Sequence, residues 1–278
     1  MLPVFVREHA SKFAYVAIGV VLFFAFLLGS FPYADTISRV LAPTGLRLSS
    51  RGQAMSFPYG LRMEGVMLDS PADGRTFFES NTLRVTPALL SWLMGSPGVS
   101  IRADAYRGSF DLHARRRGDA TEVSFNGADL HLEDYSALRA MGVNLGGVVS
   151  GTGDAYLMPN DLFGDHGNIN LSAVAASYRI FPGTPPLNLG DITAVVRLDQ
   201  GKITIQKIES HGGDLMLSGR GVIELQPNLP DSEVAIRFQL ETTPVGRKRL
   251  GFLLKFLPHP PNSTPYFLSG TLGFPSLT

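Results

Sequence analysis

The hydrophobic positions along this chain change period once. From Phe13 to Phe31 the sequence FAYVAIGVVLFFAFLLGSF is apolar and carries no charge. At about 1.5 Å per residue it makes a helix of roughly 28 Å, close to the thickness of a bilayer's hydrocarbon core. Further along, the period shortens to two. In residues 233–241, Val234, Ile236, Phe238 and Leu240 alternate with Glu233, Ala235, Arg237, Gln239 and Glu241, the pattern of a half-buried antiparallel strand. The same alternation returns at Ile203 and Ile205, at Ile169, Leu171 and Ala173, and at Phe110, Leu112 and Ala114. Asp199-Gln200-Gly201, Asn126-Gly127 and Gly212-Gly213-Asp214 supply the positive φ angles of tight turns, so the pattern predicts a meander of hairpins.

The first segment predicts a single transmembrane helix over residues 13–31. A cleaved secretory signal is the rival reading, since Arg7 and Lys12 give a positive flank. Signal cores usually run about 7 to 15 residues, and a cut after Ala34 would place Pro32 where a small residue is wanted, so a retained anchor is favoured. The cations before the helix put the short tail, residues 1–12, in the cytoplasm and export the bulk of the chain. The expected organisation is a tail (1–12), a transmembrane helix (13–31), a connector with the first strands (32–56) and an antiparallel β domain (57–278).

Three short helices interrupt the strands. Thr86 is placed to cap a helix with Pro87 at its first position, Leu89, Leu90, Trp92 and Leu93 on its faces and Gly95 past its end. Glu133 to Met141 has Glu133 and Asp134 in its first turn and Gly142 beyond its stop. Both read as plugs over an open sheet face. Pro244 to Leu257 is basic and amphipathic, suited either to an anionic membrane surface or, the favoured reading, to covering the domain core. A weak internal echo, Val149-Ser150-Gly151-Thr152-Gly153, Leu217-Ser218-Gly219-Arg220-Gly221 and Leu268-Ser269-Gly270-Thr271-Leu272-Gly273, comes at unequal spacings. That suits a hairpin unit with insertions, or common Ser-Gly bulges, better than a solenoid.

Composition narrows the chemistry. Lys+Arg and Asp+Glu are both 24, which gives no electrostatic reason to expect nucleic acid as partner. Cys is 0, which removes disulfides and thiolate chemistry. Gly 30 and Pro 19 are spread along the chain, as frequent turns require. His9, His113, His131, His166, His211 and His259 are scattered without metal-ligand spacing. Asp161 to Asn170 lacks the acidic spacing of a calcium loop and reads as a turn. Gly146-Gly147 and Gly212-Gly213 open no helix after a strand, so they read as hairpins rather than a phosphate cradle. Arg115-Arg116-Arg117 beside Gly118-Asp119 suits either contact with lipid headgroups or, the favoured reading, a solvated hairpin tip, and Asn262-Ser263-Thr264 matches a glycosylation triplet relevant only to a eukaryotic secretory pathway. No catalytic, cofactor-binding or metal residue is singled out, and a non-enzymatic protein without a cofactor is expected.

The order of these features resembles a family. Asp199-Gln200-Gly201-Lys202-Ile203-Thr204-Ile205 running into Gly213-Asp214-Leu215-Met216-Leu217-Ser218-Gly219-Arg220-Gly221 resembles the common hairpin of AsmA-like bacterial envelope proteins. A strand pair around Phe57 to Val66 and the proline-led helix precede it. The ending Tyr266-Phe267-Leu268-Ser269-Gly270-Thr271-Leu272-Gly273-Phe274-Pro275 is similar to that of the type II secretion system protein N family. The resemblance implies a mainly β protein: one N-terminal transmembrane helix, then an elongated, curved antiparallel sheet, a groove or half-barrel, with a few short helices. It implies a bacterial inner-membrane protein whose bulk is periplasmic and whose partners are the membrane, other secretion proteins and, in an AsmA-like lipid-transfer role, phospholipid. Some 15 to 20 strands would give a groove of about 70 to 100 Å.

Overall fold

Alternating residues separated by short turns can satisfy their backbone groups only by pairing with a neighbour, and here each strand takes the next one in sequence. The computed structural model describes residues 47–56, 60–70, 75–88, 95–140, 142–158, 165–179, 185–226, 231–251 and 253–278. The strands are β1 (Arg47–Ser49), β2 (Gly52–Met55), β3 (Leu61–Ser70), β4 (Arg75–Pro87), β5 (Gly98–Ala105), β6 (Gly108–Arg117), β7 (Ala120–His131) and β8 (Asn144–Leu157). They continue as β9 (His166–Arg179), β10 (Leu187–Asp199), β11 (Lys202–His211), β12 (Leu215–Glu224), β13 (Glu233–Thr242), β14 (Tyr266–Thr271) and β15 (Pro275–Leu277). All belong to one 15-stranded antiparallel sheet without a crossover. From β3 onward every strand pairs with its successor, while β1 and β2 lie end to end along the outer edge of β3.

The mainly antiparallel β class expected from the pattern is therefore observed, with strand β13 one residue longer than the alternation predicted. Residues 13–31 lie outside the described residues, among which no helix is long and apolar enough to cross a membrane. At about 4.8 Å per strand, the hydrogen-bonded path measures about 60 Å along the sheet, below the 70 to 100 Å expected.

Several local expectations are corrected. Asn126 and Gly127 are not a turn but lie inside β7, paired with Asp111 and Phe110 on one side and Thr152 and Gly151 on the other. The hairpins flanking β6 instead turn at Tyr106-Arg107, with φ of 50° and 60°, and at Gly118-Asp119, where Gly118 has φ 64°. Gly146-Gly147 lies within β8 rather than in a hairpin, at a register shift where Gly147 stands opposite Ala175 and Ala176 of β9. His166 to Asn170, expected in a turn, start β9, and Asp161 to Phe163 lie outside the described residues. Thr86 and Pro87 end β4 opposite Ser100 and Val99 instead of capping a helix; residues 89–94 lie outside the described residues. The sheet ladder offers these two residues strand partners that an isolated helix start does not.

The other two helices are shorter than expected. Leu132–Asp134 makes one 3-10 turn and Ser136–Ala140 forms α1, while Met141 lies outside the described residues. The basic helix is broken into α2 (Pro244–Leu250) and a 3-10 turn, Leu253–Phe256. Thr243 caps α2 by accepting the Gly246 N–H at 3.1 Å, and Arg249 reaches Asp214 at 3.0 Å. Asp214 ends the β11–β12 turn, so α2 is fastened to the sheet and buries Leu250.

One-layer sheets bury little. Leu61, Met63 and Val66 form a buried cluster with Leu48, Leu83 and Val85 packed on it, at the β1–β4 end. Near the other end Tyr266 is fully buried, stacks on Phe238 and His259, and donates its hydroxyl to the His259 carbonyl at 2.6 Å.

Candidate functional site

A strand's side chains alternate between faces, so residues directly opposite across each ladder share a face. Followed from strand to strand, one row runs Met55, Leu61, Val85, Ile101, Leu112 and Phe125. It continues through Gly153, Ile169, Val196, Ile205, Gly221 and Ile236, and ends at Leu268 and Leu277. No polar side chain interrupts it. A second row, two residues away, passes through Met63, Leu83, Ala103, Phe110, Gly127 and Gly151, then Leu171, Ala194, Ile208, Gly219, Phe238 and Tyr266. A third holds Val99, Ala114, Val123, Ala155, Gly167 and Leu198 and proceeds to Ile203, Ile223 and Val234. The opposite face carries the charged and amide residues between them.

Among the described residues no second sheet covers these rows, the short helices lie against the sheet chiefly at β4, β8 and β13, and most row members are half-buried; Leu171 is 40% exposed. Apolar surface in this state is favourable to remove from water, at about 25 cal/mol per Å².

The Ser-Gly echo acquires a physical meaning on this face. In Ser150-Gly151-Thr152-Gly153 and Ser218-Gly219-Arg220-Gly221 the glycines point to the apolar side, and side chains of adjacent strands lean over them. A Cβ on Gly151 would meet Leu171 Cδ2 at 2.6 Å, one on Gly219 would meet Phe238 Cβ at 2.9 Å, and one on Gly221 would meet Ile236 Cγ1 at 2.7 Å. Gly153 is covered in the same way by the Phe125 ring.

A band of bulges crosses β7 to β10 at one end of the face. Asp129, Gly147, Ala175 and Gly190, one per strand, have φ of 55°, 124°, 52° and 74°. A bulged residue leaves its N–H out of the ladder. Here each is taken by a side chain: Asp129 N donates to Ser150 Oγ, Gly147 N to Glu133 Oε2, Ala175 N to Asp191 Oδ1 and Gly190 N to Asn188 Oδ1.

Beside this band the β7–β8 connection folds back over the sheet. Tyr106 stands at its centre, edge-on to Phe78 at 6.0 Å and to Tyr135 at 5.3 Å. Its hydroxyl accepts the Glu79 N–H at 2.8 Å, and Ser136 Oγ donates to Glu79 Oε1 at 2.7 Å. Burial pushes the Tyr106 phenol up to about 12. These rings, with Phe110, Leu130 and Val149 of the apolar face, line an open cavity of about 300 Å³. The connection is held by Glu133, which receives Arg107 Nη2 at 2.6 Å and contacts His131 Nδ1 at 3.0 Å, while Arg107 also reaches Asp134. The Glu133 backbone N–H first, then His131, Arg107 and the Gly147 N–H, hold its carboxyl down to about 2 against the effect of burial.

The histidines are not brought together. His113 contacts Ser100 at 2.7 Å, His166 stacks on Tyr156, His211 meets Glu209 and His259 lies on Tyr266, each on a different part of the sheet; His9 is outside the described residues. Among the described residues no three of His, Asp and Glu are grouped to hold a metal ion. Sequence reading missed the aromatic cavity, because Phe77 and Phe78, Tyr106 and Tyr135 lie on separate elements and no spacing links them. The chain matches no protein-family model, no curated protein and no solved structure.

Proposed function

We propose that the chain is a non-enzymatic, inner-membrane-anchored periplasmic component of the type II protein secretion system, acting as a scaffold or docking element. The observation that carries this reading is the set of apolar rows crossing the whole sheet, a long surface with one oily and one charged face for other secretion proteins to sit against. The uncharged apolar stretch of residues 13–31 supports a membrane tether, and the resemblance of the Tyr266 to Pro275 ending supports the secretion family. Purification of the full chain from its host membranes in mild detergent is expected to bring secretion-system subunits with it. Recovery of the chain without any such subunit overturns the reading.

A second reading, an AsmA-like lipid-binding or lipid-transfer groove, is favoured by the aromatic cavity of about 300 Å³ whose lining joins the apolar rows. Native mass spectrometry of the full chain is expected to show phospholipid retained after detergent removal. A lipid-free spectrum counts against the groove and leaves the scaffold standing.

A further inference from the structure

The charged face carries an inference independent of both readings. One row of directly opposed residues crosses it: Arg62, Arg84, Arg102 and Asp111, then Asn126, Thr152, Asn170 and Val195. It reaches Lys207 on β11, where a bulge places Gln206 and Lys207 against Arg220 of β12; Arg220 in turn faces Arg237 of β13, and Arg237 faces Phe267 of β14. At the first end carboxylates accompany two of the three arginines, Glu64 at 3.3 Å from Arg62 and Asp111 at 2.5 Å from Arg102, while Arg84 between them makes no ion pair among the described residues. Lys207 is held by Glu209 at 2.9 Å. Arg220 and Arg237 form an opposed pair in which, among the described residues, neither member makes an ion pair, and Arg237 lies over the Phe267 ring at 5.5 Å.

Like charges directly opposite on adjacent strands weaken a sheet. Two directly opposed arginines, neither ion-paired to a carboxylate, are relieved by an anion bound between them. Arg220 and Arg237 line a cleft of about 390 Å³, together with Gln206, Lys207, Glu209, Ser218 and Gln239, the Glu209 carboxylate being already engaged by Lys207 at 2.9 Å and His211 at 3.2 Å. Two planar forks with five N–H donors each, flanked by hydroxyl and amide donors, match the oxygens of a phosphate group better than a point cation would. We propose that this cleft binds a phosphate group, held between Arg220 and Arg237, with Ser218 and the two glutamines donating to its remaining oxygens. Free phosphate and a phospholipid headgroup present the same oxygens.

The test uses the full chain in a neutral detergent at low ionic strength, titrated with inorganic phosphate and followed by phosphorus NMR and by thermal unfolding. Saturable binding is expected, weakened at least tenfold in Arg220→Gln and in Arg237→Gln. Without phosphate each variant should melt above the wild type, because the opposed charges are relieved; in saturating phosphate that order should reverse. Monomeric dihexanoylphosphatidylglycerol that displaces phosphate assigns the site to a lipid headgroup, and failure to displace it assigns the site to free phosphate. Absence of saturable binding, or binding unchanged in both variants, overturns the proposal. Equal displacement by malonate overturns the choice of phosphate over carboxylate.

Discussion

Glycines on the apolar face show what single residues decide. Gly221 sits opposite Ile236, and a Cβ there would come within 2.6 Å of the Ile236 Cα and 2.7 Å of the Ala235 carbonyl oxygen. Both are backbone atoms and cannot rotate away. Gly221→Ala is therefore expected to destabilise the fold by about 1 to 3 kcal/mol through overpacking, measured by chemical denaturation; a variant as stable as the parent would show that the strands part freely at this point. The Ser-Gly echo was visible in the sequence, but its reason was not, because the partner that fills each glycine's space is on another strand. Asn126-Gly127 shows the converse. A dipeptide that favours a turn locally is strand interior, laddered on both sides, with Leu130 Cδ1 at 3.1 Å from where a Gly127 Cβ would stand.

At the scale of elements, the alternating period was a reliable guide where one face is apolar and the other charged, as in β13, whose limits the pattern placed to within one residue. Bulges were not legible. Asp129, Gly147, Ala175 and Gly190 sit where the pairing register shifts, and the side chains of Ser150, Glu133, Asp191 and Asn188 accept their N–H groups there. The folded-back connection over Tyr106 depends on the same kind of partner. Glu133 holds Arg107 and the Gly147 bulge in its ionised form, and its folded value of about 2 lies below the ordinary 4.5. Its contribution is thus fully present above about pH 4.5 and lost as pH falls toward 2. Amide-exchange protection factors of residues 132–140, taken against the intrinsic rate at each pH, should fall through that window. Glu133→Gln should abolish this part of the acid response, and an identical acid profile in the variant would remove Glu133 as its cause.

For the whole molecule, the fold class followed from the period of two and the short turns, but the openness of the sheet did not. Ile169 and Leu171 read the same whether a second layer covers them or water does. Since each strand touches chiefly its two neighbours, stability is a sum of adjacent ladders rather than the property of one shared core. That arrangement also decides how the protein bears a load. Ladder hydrogen bonds lie perpendicular to the strands, so tension between β1 and β15 peels rungs in turn instead of shearing a block at once. Pulled between two specific handles in an optical trap, the sheet should lengthen in a train of steps. Strands of 10 to 14 residues would release about 35 to 50 Å each. A single rupture of the whole sheet would contradict this. Strung between two attachments, such a protein would give way gradually and rewind behind the load, acting as an extensible strap rather than a strut.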